Sequence, residues 1–194
     1  MRLLLLRHGA AEGQGRYLGV TDAPLSGEGR AQVLSRRAHL PQVEALWSSP
    51  LSRCRETAEL LWPGRNPTVL RELRELDFGA WEGHTWAEVG DESVYEPWLA
   101  GNPQAAFPGG ETLGALRSRV NRAFLAICTR CAQGRLSAAA VVTHSGVLCA
   151  LLSAQAWGSY FDWHCPPCGG YAALLRPDEG RLVQVVPLGE SAPW

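Results

Sequence analysis

The sequence predicts an α/β fold, a three-layer sandwich with a mostly parallel central sheet, an antiparallel edge and helices on both faces. Two observations support this class. Short apolar runs that favour β-strands alternate with helical patterns along most of the 194 residues, which is typical of parallel sheets with crossover helices. The last two apolar runs instead follow each other across a short polar turn, which predicts a hairpin and therefore an antiparallel edge.

Six apolar runs are predicted to form the strands. They are Leu3–Leu6, Ala45–Trp47, Thr68–Leu70, Ala139–Thr143, Ala172–Leu175 and Leu182–Val186. The segment between the last two, Arg176–Gly180, contains the proline, acidic residues and glycine that favour turns. This segment is therefore the predicted turn of the hairpin.

Four segments are predicted to form helices between these strands. They are Gly27–Leu40, Pro50–Trp62, Glu111–Ala132 and Gly146–Trp157. Three of them follow a serine, whose hydroxyl can cap a helix N-terminus: Ser26, Ser49 and Ser145. Pro50 also suits the first position of a helix, because that position needs no donated N–H.

The chain is predicted to form a single domain over residues 1–194. Its length suits one hydrophobic core, and no repeat, low-complexity tract or linker divides it. Residues 79–110 fit the strand and helix pattern poorly, since they are rich in Trp, Pro and Gly. We interpret them as an excursion over the end of the sheet where an active site is expected.

The charge and hydropathy patterns exclude several classes of function. A net charge of −1 gives no electrostatic basis for binding nucleic acid or an anionic membrane. The run Leu3–Leu6 is too short for the apolar part of a secretion signal, which needs about 7–15 residues, and no later run approaches the roughly 20 residues of a membrane span. We therefore expect a soluble, cytoplasmic protein with small-molecule partners.

All 18 basic residues are arginine, and none is lysine. Schiff-base and lysine general-base chemistry is thereby excluded. Guanidinium groups pair with carboxylate or phosphate through two parallel hydrogen bonds. The composition therefore favours an anionic ligand.

The six cysteines raise the question of a metal. Four of them form two CxxC pairs, Cys128 with Cys131 and Cys165 with Cys168. Two such pairs can hold zinc, but their separation here exceeds the common spacing of about 15–20 residues. We expect buried thiols with no metal and no cofactor, and keep a four-cysteine zinc site as the alternative.

Three predicted strand-to-helix joints carry a cationic or titratable side chain. Arg7 and His8 follow the first strand, Arg53 lies in the first turn of the helix after the second, and His144 follows the fourth. In open α/β sheets, ligands bind beyond the carboxyl ends of the strands, where helix N-termini expose free N–H groups. Each residue alone is typical of a packed or surface side chain, but their coincidence predicts an anion site.

A phosphate monoester is the anion that fits these groups. Arginines, histidines and exposed amides supply the positioning and charge neutralisation that phosphoryl transfer requires. A histidine nucleophile must be neutral, with its other ring nitrogen donating to a fixed acceptor, and Arg7 beside His8 favours the neutral form. The acid that protonates the leaving group is left open among four carboxylates: Glu72, Glu75, Asp77 and Glu82.

Five motifs carry a resemblance to a known family. They are RHG at residues 7–9, SSPLSRCRET at 48–57, LRELDFGAWEG at 73–83, PGGET at 108–112 and THSG at 143–146. Together they span nearly the whole chain and resemble the histidine phosphatase superfamily, also called the phosphoglycerate mutase-like family. The resemblance implies a phosphoglycerate mutase-like fold and a phosphoric monoester hydrolase.

The resemblance also implies a role for each residue of the main site. His8 becomes the nucleophile that forms a phosphohistidine, and Arg7 and Arg53 hold the phosphoryl group. His144 stabilises its transition state. The proton donor of the family falls on Glu75, which resolves the choice among the carboxylates.

Three further residues are candidates for phosphate binding, namely Gln14, Ser145 and Gly146. Gln14 stands where the family usually has an asparagine, and its longer side chain can supply the same amide. Ala10 and Ala11 stand where the family usually has an acidic residue and a hydroxyl. We expect activity to survive these departures.

The expected substrate is a small phosphorylated metabolite. The chain is compact, whereas mutases of the family generally carry an insertion, so water is the expected phosphoryl acceptor. Residues 78–83 together with Tyr95, Trp98 and PGGET are similar to α-ribazole phosphatases of cobalamin synthesis, which points to α-ribazole 5′-phosphate. Candidates for the substrate wall are Trp81, Trp86, Tyr95, Trp98 and Phe107, with Glu82 supporting the site.

Several alternatives stay open at this point. One is a broad-specificity or sugar-phosphate phosphatase, and a less favoured one is a phosphoglycerate mutase. A different class is an inactive phosphate-binding or zinc-bearing interaction protein, which Ala10, Ala11 and the CxxC pairs suggest. A homodimer also stays open.

Overall fold

A six-stranded sheet forms the centre of the protein. The structure, a computed structural model, describes residues 1–156 and 158–189. In chain order the strands are Arg2–Arg7 (β1), Ala45–Ser48 (β2), Thr68–Val69 (β3), Ala138–Thr143 (β4), Gly170–Arg176 (β5) and Arg181–Pro187 (β6). Across the sheet they lie in the order β3-β2-β4-β1-β5-β6.

The sheet is parallel on one side of β1 and antiparallel on the other. Strands β1 and β4 pair in parallel, as do β2 and β4 and β2 and β3. Strand β5 pairs antiparallel with β1 and with β6, so the hairpin predicted around Arg176–Gly180 is confirmed. Because β1, β2 and β4 are parallel, their carboxyl ends lie at the same edge of the sheet.

The leucines of β1 are buried on both faces of the sheet. Leu3 and Leu5 belong to one hydrophobic cluster, and Leu4 and Leu6 belong to the other. This division follows from the alternation of side chains along a strand. An uninterrupted apolar run is therefore the pattern of a strand that is covered on both sides.

Helices supply the two outer layers. In chain order they are Gly27–Arg37 (α1), Ser52–Leu61 (α2), Trp86–Val89 (α3), Glu92–Leu99 (α4), Leu113–Gly134 (α5) and Ser145–Gln155 (α6). The buried residues of α1 and α2 join one cluster, and those of α5 and α6 join the other. The predicted three-layer fold class is confirmed. Within the described part of the chain, no helix combines the length and the apolar character that a membrane crossing requires.

Helix α2 starts two residues later than the Ser49-Pro50 pattern predicts. The Ser49 hydroxyl is hydrogen-bonded with the His144 ring at 2.7 Å. Asp22 instead caps the helix, since its Oδ1 accepts a hydrogen bond from Ser52 N at 2.7 Å. The prediction of Ser49 as the cap is wrong because a residue far away in sequence takes that place.

The other predicted helix bounds differ by a few residues. Helix α1 ends before Leu40. The Thr112 hydroxyl caps α5 by accepting a hydrogen bond from Ala115 N at 3.1 Å, so Glu111 precedes that helix instead of beginning it. Helix α6 begins with His144 in the cap position, and its predicted end at Trp157 lies outside the described residues.

Residues 79–110 contain two short helices that the sequence pattern did not indicate. Helix α3 is a single turn and α4 contains Pro97, so neither has a clear helical period. Trp81, Trp98 and Phe107 are almost fully buried here. The ring of Phe107 lies 4.8 Å from that of Trp81 and 5.3 Å from that of Trp98, so the segment is built around packed aromatic rings.

Candidate active site

A cavity of about 470 Å³ lies where the carboxyl ends of β1, β2 and β4 meet. The predicted site residues that line it are Arg7, His8, Gln14, Arg53, Glu75, Ser145 and Gly146. The wall candidates that line it are Tyr95, Trp98 and Phe107. The three predicted strand-to-helix joints thus meet at one cavity. The first contributes Arg7 and His8, the second Arg53, and the third the residues that follow His144, and the carboxyl group of Glu75 lies in the same lining.

His8 is held as a neutral imidazole that faces the cavity. Its Nδ1 lies 2.6 Å from the carbonyl oxygen of Gly9. A carbonyl only accepts, so Nδ1 carries the proton and Nε2 keeps its lone pair. Burial, followed by the charges of Arg53 and Arg7, lowers the pKa of His8 to about 3.

The backbone around His8 is fixed from three sides. His8 N donates to the carbonyl of Thr143 at 3.0 Å, and Cys168 N donates to the carbonyl of His8 at 2.9 Å. Gly9 N donates to the hydroxyl of Thr57 at 3.1 Å. A side chain at Gly9 would approach the carbonyl oxygen of Gly29 to 2.8 Å, which explains the glycine of the RHG motif by the proximity of α1.

His144 is fully buried behind the cavity. Its Nε2 lies 2.7 Å from the Ser49 hydroxyl, and its ring centroid lies 5.1 Å from that of His8. Burial, followed by the neighbouring His8 and Arg53, holds the pKa of His144 well below its usual range. His144 is not among the residues that line the cavity.

Arg53 is a fully buried guanidinium that reaches the cavity from α2. Its Nη1 donates to the carbonyl of Thr21 at 2.7 Å. Its Nη2 donates to the carbonyls of Leu18 at 3.0 Å and Gly19 at 2.7 Å. Three of the five N–H donors of an arginine are thereby used, and Nε is buried without a hydrogen-bond partner among the described residues.

Arg7 is arranged in a similar way at the end of β1. Its Nη1 donates to the carbonyl of Cys165 at 2.7 Å. Its Nε is also buried without a partner in the described ranges. Both guanidinium groups are therefore oriented by carbonyl oxygens and keep donors for an anion, as phosphate binding requires.

Glu75 is the one carboxyl group of the four candidates that lines the cavity. Its Oε1 accepts a hydrogen bond from Leu76 N at 2.9 Å, and its Oε2 accepts one from Gly146 N at 3.1 Å. Burial raises the pKa of Glu75, and these amides and the two arginines offset only part of that effect. A carboxyl group with a raised pKa suits general acid catalysis.

Glu82 lies outside the cavity lining and acts on the loop that holds Arg53. Its carboxylate accepts hydrogen bonds from Gly19 N at 3.2 Å, Val20 N at 3.0 Å and Thr21 N at 3.1 Å. The same loop offers its carbonyl groups to the guanidinium of Arg53. Glu82 therefore fixes Arg53 indirectly, through the main chain of the loop at residues 19–21.

The remaining candidates divide between the cavity and its surroundings. Gln14 is exposed at the cavity mouth. Trp81 is buried outside the lining and packs on Tyr17, with a centroid distance of 5.2 Å. Trp86 is largely exposed and lies beside an outer groove. Trp81 and Trp86 therefore lie outside the lining of this cavity, and Trp81 supports it through Tyr17.

The cavity-lining residues that the sequence reasoning missed include four with aromatic or imidazole rings, namely Tyr17, Tyr160, Phe161 and His164. The hydroxyl of Tyr160 donates to the carbonyl of Gly146 at 3.1 Å, close to the carboxyl group of Glu75. These side chains come from loops and a single 3₁₀ turn. No periodic pattern or motif of the sequence marks them.

The two CxxC pairs do not form a metal centre in the described structure. Cys165 belongs to the hydrophobic cluster on one face of the sheet, whereas Cys168 belongs to the cluster on the other. Burial raises the pKa of Cys128 and of Cys131 to about 11, so these thiols stay protonated. Among the described residues, no three His, Cys, Asp or Glu side chains are grouped so that they could hold a metal ion.

A model of the histidine phosphatase superfamily (branch 1) matches residues 3–186. The chain therefore belongs to this superfamily, and the family predicted from the five motifs is confirmed. The predicted enzyme class, a histidine phosphatase, agrees with membership of this superfamily.

Three comparisons place the chain among named proteins. The Adenosylcobalamin/alpha-ribazole phosphatase of Salmonella typhimurium is 31% identical over 195 residues, which cover 90% of this chain and 94% of that protein. Phosphoserine phosphatase 1 of Hydrogenobacter thermophilus is 32% identical over 128 residues, which cover 62% of this chain and 61% of that protein. The crystal structure of a phosphoglycerate mutase from Thermus thermophilus is 36% identical, with a TM-score of 0.71 over 97% of this chain and all of that one (100%).

Replacement of Gly146 by alanine is expected to displace the carboxyl group of Glu75 without removing a reactive side chain. The new Cβ would lie 2.5 Å from Glu75 Oε1 and 3.0 Å from the Tyr160 hydroxyl. We expect kcat/KM for a phosphate monoester to fall by about 100-fold, because small displacements of a catalytic group cost about that much. The matched control is Gly27→Ala, where a Cβ meets nothing within 4 Å. Equal kcat/KM values for the two folded variants would contradict this description of the site.

Proposed function

We propose that the protein hydrolyses phosphate monoesters through a phosphohistidine on His8, without a metal ion. The observation that carries the proposal is the neutral His8 ring, fixed on the carbonyl of Gly9, beside two guanidinium groups with buried, unused Nε–H donors. The arginines would supply the positive charge that a metal provides in other phosphatases. Glu75 would supply the proton.

In the first step, Nε2 of His8 attacks the phosphorus atom. An N–P bond forms and the bond from phosphorus to the leaving oxygen breaks. Glu75, whose pKa is raised by burial, acts in its protonated form and gives its proton to that oxygen. The products are phosphohistidine, a Glu75 carboxylate and the free alcohol.

In the second step, water attacks the phosphorylated His8. Glu75, now a carboxylate, accepts a proton from the attacking water, and the N–P bond breaks as the new P–O bond forms. Inorganic phosphate leaves, and both His8 and Glu75 return to their starting protonation states. No other reactant is needed.

The positive charges of Arg7 and Arg53 stabilise the transition state. The transferred phosphoryl group spreads negative charge over its equatorial oxygens, and the unused donors of the two guanidinium groups can bind them. We propose that His144 stabilises the same transition state from its buried position beside the His8 ring, where it also contacts Ser49. Gln14, Ser145 and Gly146 lie around the same cavity and would complete the phosphate contacts.

The substrate proposed is a small phosphorylated metabolite such as α-ribazole 5′-phosphate. The cavity volume is within the range of small-molecule sites, about 300–1,000 Å³. The cavity is also lined by the aromatic side chains Tyr17, Phe78, Tyr95, Trp98 and Phe107, which suit a flat aromatic leaving group. The likeness to the Salmonella phosphatase supports the same choice.

Three alternatives make different predictions about activity. A broad-specificity or sugar-phosphate phosphatase would show no preference for an aromatic leaving group. A phosphoglycerate mutase, the name of the Thermus relative, would pass the phosphoryl group to an acceptor other than water. An inactive phosphate-binding or zinc-bearing protein would release no phosphate, and the arrangement of His8, Glu75 and the two arginines would then have no catalytic role.

The test is phosphate release in the presence of EDTA from α-ribazole 5′-phosphate, a sugar phosphate, 3-phosphoglycerate and p-nitrophenyl phosphate. We expect hydrolysis with the highest kcat/KM for α-ribazole 5′-phosphate, and a loss of at least about 10³-fold in His8→Ala, because the nucleophile is absent. His39→Ala is the control, since that histidine is exposed in the turn just after the C-terminal end of α1. Equal inactivity of the wild type and His8→Ala would refute the proposed mechanism. Equal kcat/KM values for all four esters would refute the proposed preference for α-ribazole 5′-phosphate.

The pH dependence of kcat/KM should report Glu75. Since burial raises the pKa of Glu75 and lowers that of His8 to about 3, the active form has Glu75 protonated and His8 neutral. Activity on an alkyl phosphate is therefore lost as the pH rises through the pKa of Glu75, and again as it falls below about 3.

Glu75→Gln isolates this effect from the ionisation of the substrate phosphate, which has a pKa of about 6. In the wild type, kcat/KM should show an additional decrease at alkaline pH, an alkaline limb that the variant lacks. Identical alkaline limbs in the two proteins would remove Glu75 from the role of acid.

A further inference from the structure

A buried ion pair lies directly behind the loop that carries Glu75. Arg119 on α5 is only 4% exposed. Its Nε lies 2.7 Å from Oε1 of Glu111, and its Nη2 lies 2.7 Å from Oε2 of the same carboxylate. The guanidinium and the carboxylate thus form two parallel hydrogen bonds, the geometry that gives such pairs their directional strength.

The remaining donors of Arg119 bind the backbone of the Glu75 loop. Nη1 donates to the carbonyls of Glu72 and Arg74, each at 2.6 Å. Nη2 donates to the carbonyl of Glu75 itself at 3.0 Å. All five N–H donors of the guanidinium are therefore used, and three of them bind one short stretch of main chain.

Glu111 fixes the same loop at its other end. Glu111 N donates to the carbonyl of Asp77 at 2.9 Å. The loop from residue 72 to residue 77 is thus bound on both sides of Glu75 by the same ion pair and its backbone. The carboxyl group of Glu75 is meanwhile held between Leu76 N and Gly146 N.

A stable core does not need such a pair. Replacing a buried ion pair with apolar residues often leaves stability unchanged or raises it, because the desolvation of two charges is costly. Arg119 instead provides a fixed array of donors that no apolar residue could supply. Its contacts with three carbonyl groups around one reactive residue indicate a role in geometry.

We propose that Arg119 and Glu111 are positioning residues, which hold the main chain of residues 72–77 so that the carboxyl group of Glu75 faces the phosphate-binding part of the cavity. The inference rests on the proposed role of Glu75 as the acid. Neither residue lines the cavity, and neither is expected to touch the substrate. Their effect should therefore appear only in the step that Glu75 performs.

The test compares two leaving groups. An alkyl phosphate such as glycerol 2-phosphate leaves as a strongly basic alkoxide and needs a proton, whereas p-nitrophenolate is weakly basic and departs without one. The quantity compared is kcat/KM, because it covers the steps up to the first irreversible one, here the release of the alcohol, and so excludes hydrolysis of the phosphohistidine.

The main variant is Arg119→Lys, with Arg122→Lys on the exposed face of the same helix as the control. Lysine keeps the charge but has three donors, too few for the five acceptors. We expect kcat/KM for glycerol 2-phosphate to fall at least about tenfold, with a change of less than about threefold for p-nitrophenyl phosphate. Glu111→Gln should show the same selectivity, and adding Arg119→Lys to Glu75→Gln should cause no further selective loss.

The outcomes separate the two proposals. If Glu75→Gln affects both esters equally, the role of Glu75 as the acid fails. Glu75→Gln could lower kcat/KM selectively for the alkyl ester while Arg119→Lys and Glu111→Gln lower kcat/KM for both esters equally or for neither. That result would support Glu75 as the acid and overturn the positioning role. If thermal unfolding shows that both of these variants are unfolded, the pair is structural, which also overturns the positioning role.

Discussion

The site depends on one electrostatic constraint, which is the placement of two guanidinium groups that carbonyl oxygens orient, with Arg53 fully buried and Arg7 partly buried. Arg53 donates to three backbone carbonyls and Arg7 to one, and neither forms an ion pair within the described ranges. Carbonyl dipoles orient an arginine without neutralising its charge. The two charges therefore favour an anionic ligand in the cavity, and charge interactions are stronger in a buried site than in water.

The protonation states of the reacting groups follow from this potential together with burial. Both lower the pKa of His8, which stays neutral and nucleophilic. For Glu75 they act in opposite directions: burial raises its pKa, and the nearby arginines lower it. Burial has the larger effect, so Glu75 can keep a proton while His8 lacks one. Two carboxylates outside the cavity maintain this arrangement through the main chain. Glu82 supports the loop that holds Arg53. Glu111, paired with Arg119, supports the loop that carries Glu75.

The sequence predicted the parts of the fold and site that depend on short-range pattern. The leucine run of β1, the hairpin and the residues at three strand ends lie where expected, since strand direction alone brings them to one edge. Residues whose place depends on contacts distant in sequence were not predictable. Asp22 caps α2 in place of Ser49, Arg119 is one arginine among many on a long helix, and Tyr160 reaches the cavity from a single turn. The contact of 2.7 Å between His144 Nε2 and the Ser49 hydroxyl likewise joins residues far apart in the sequence.

The central claim is that His8 carries the phosphoryl group during turnover, and the most direct test is detection of that adduct. The wild-type protein would be mixed with a phosphate monoester, quenched in alkali within milliseconds, digested and analysed by mass spectrometry. The account predicts a phosphoryl group on the peptide that contains His8, stable in alkali and lost in acid, and absent from His8→Ala. An actively hydrolysing protein that gives no adduct, or gives one on another residue, would contradict the account.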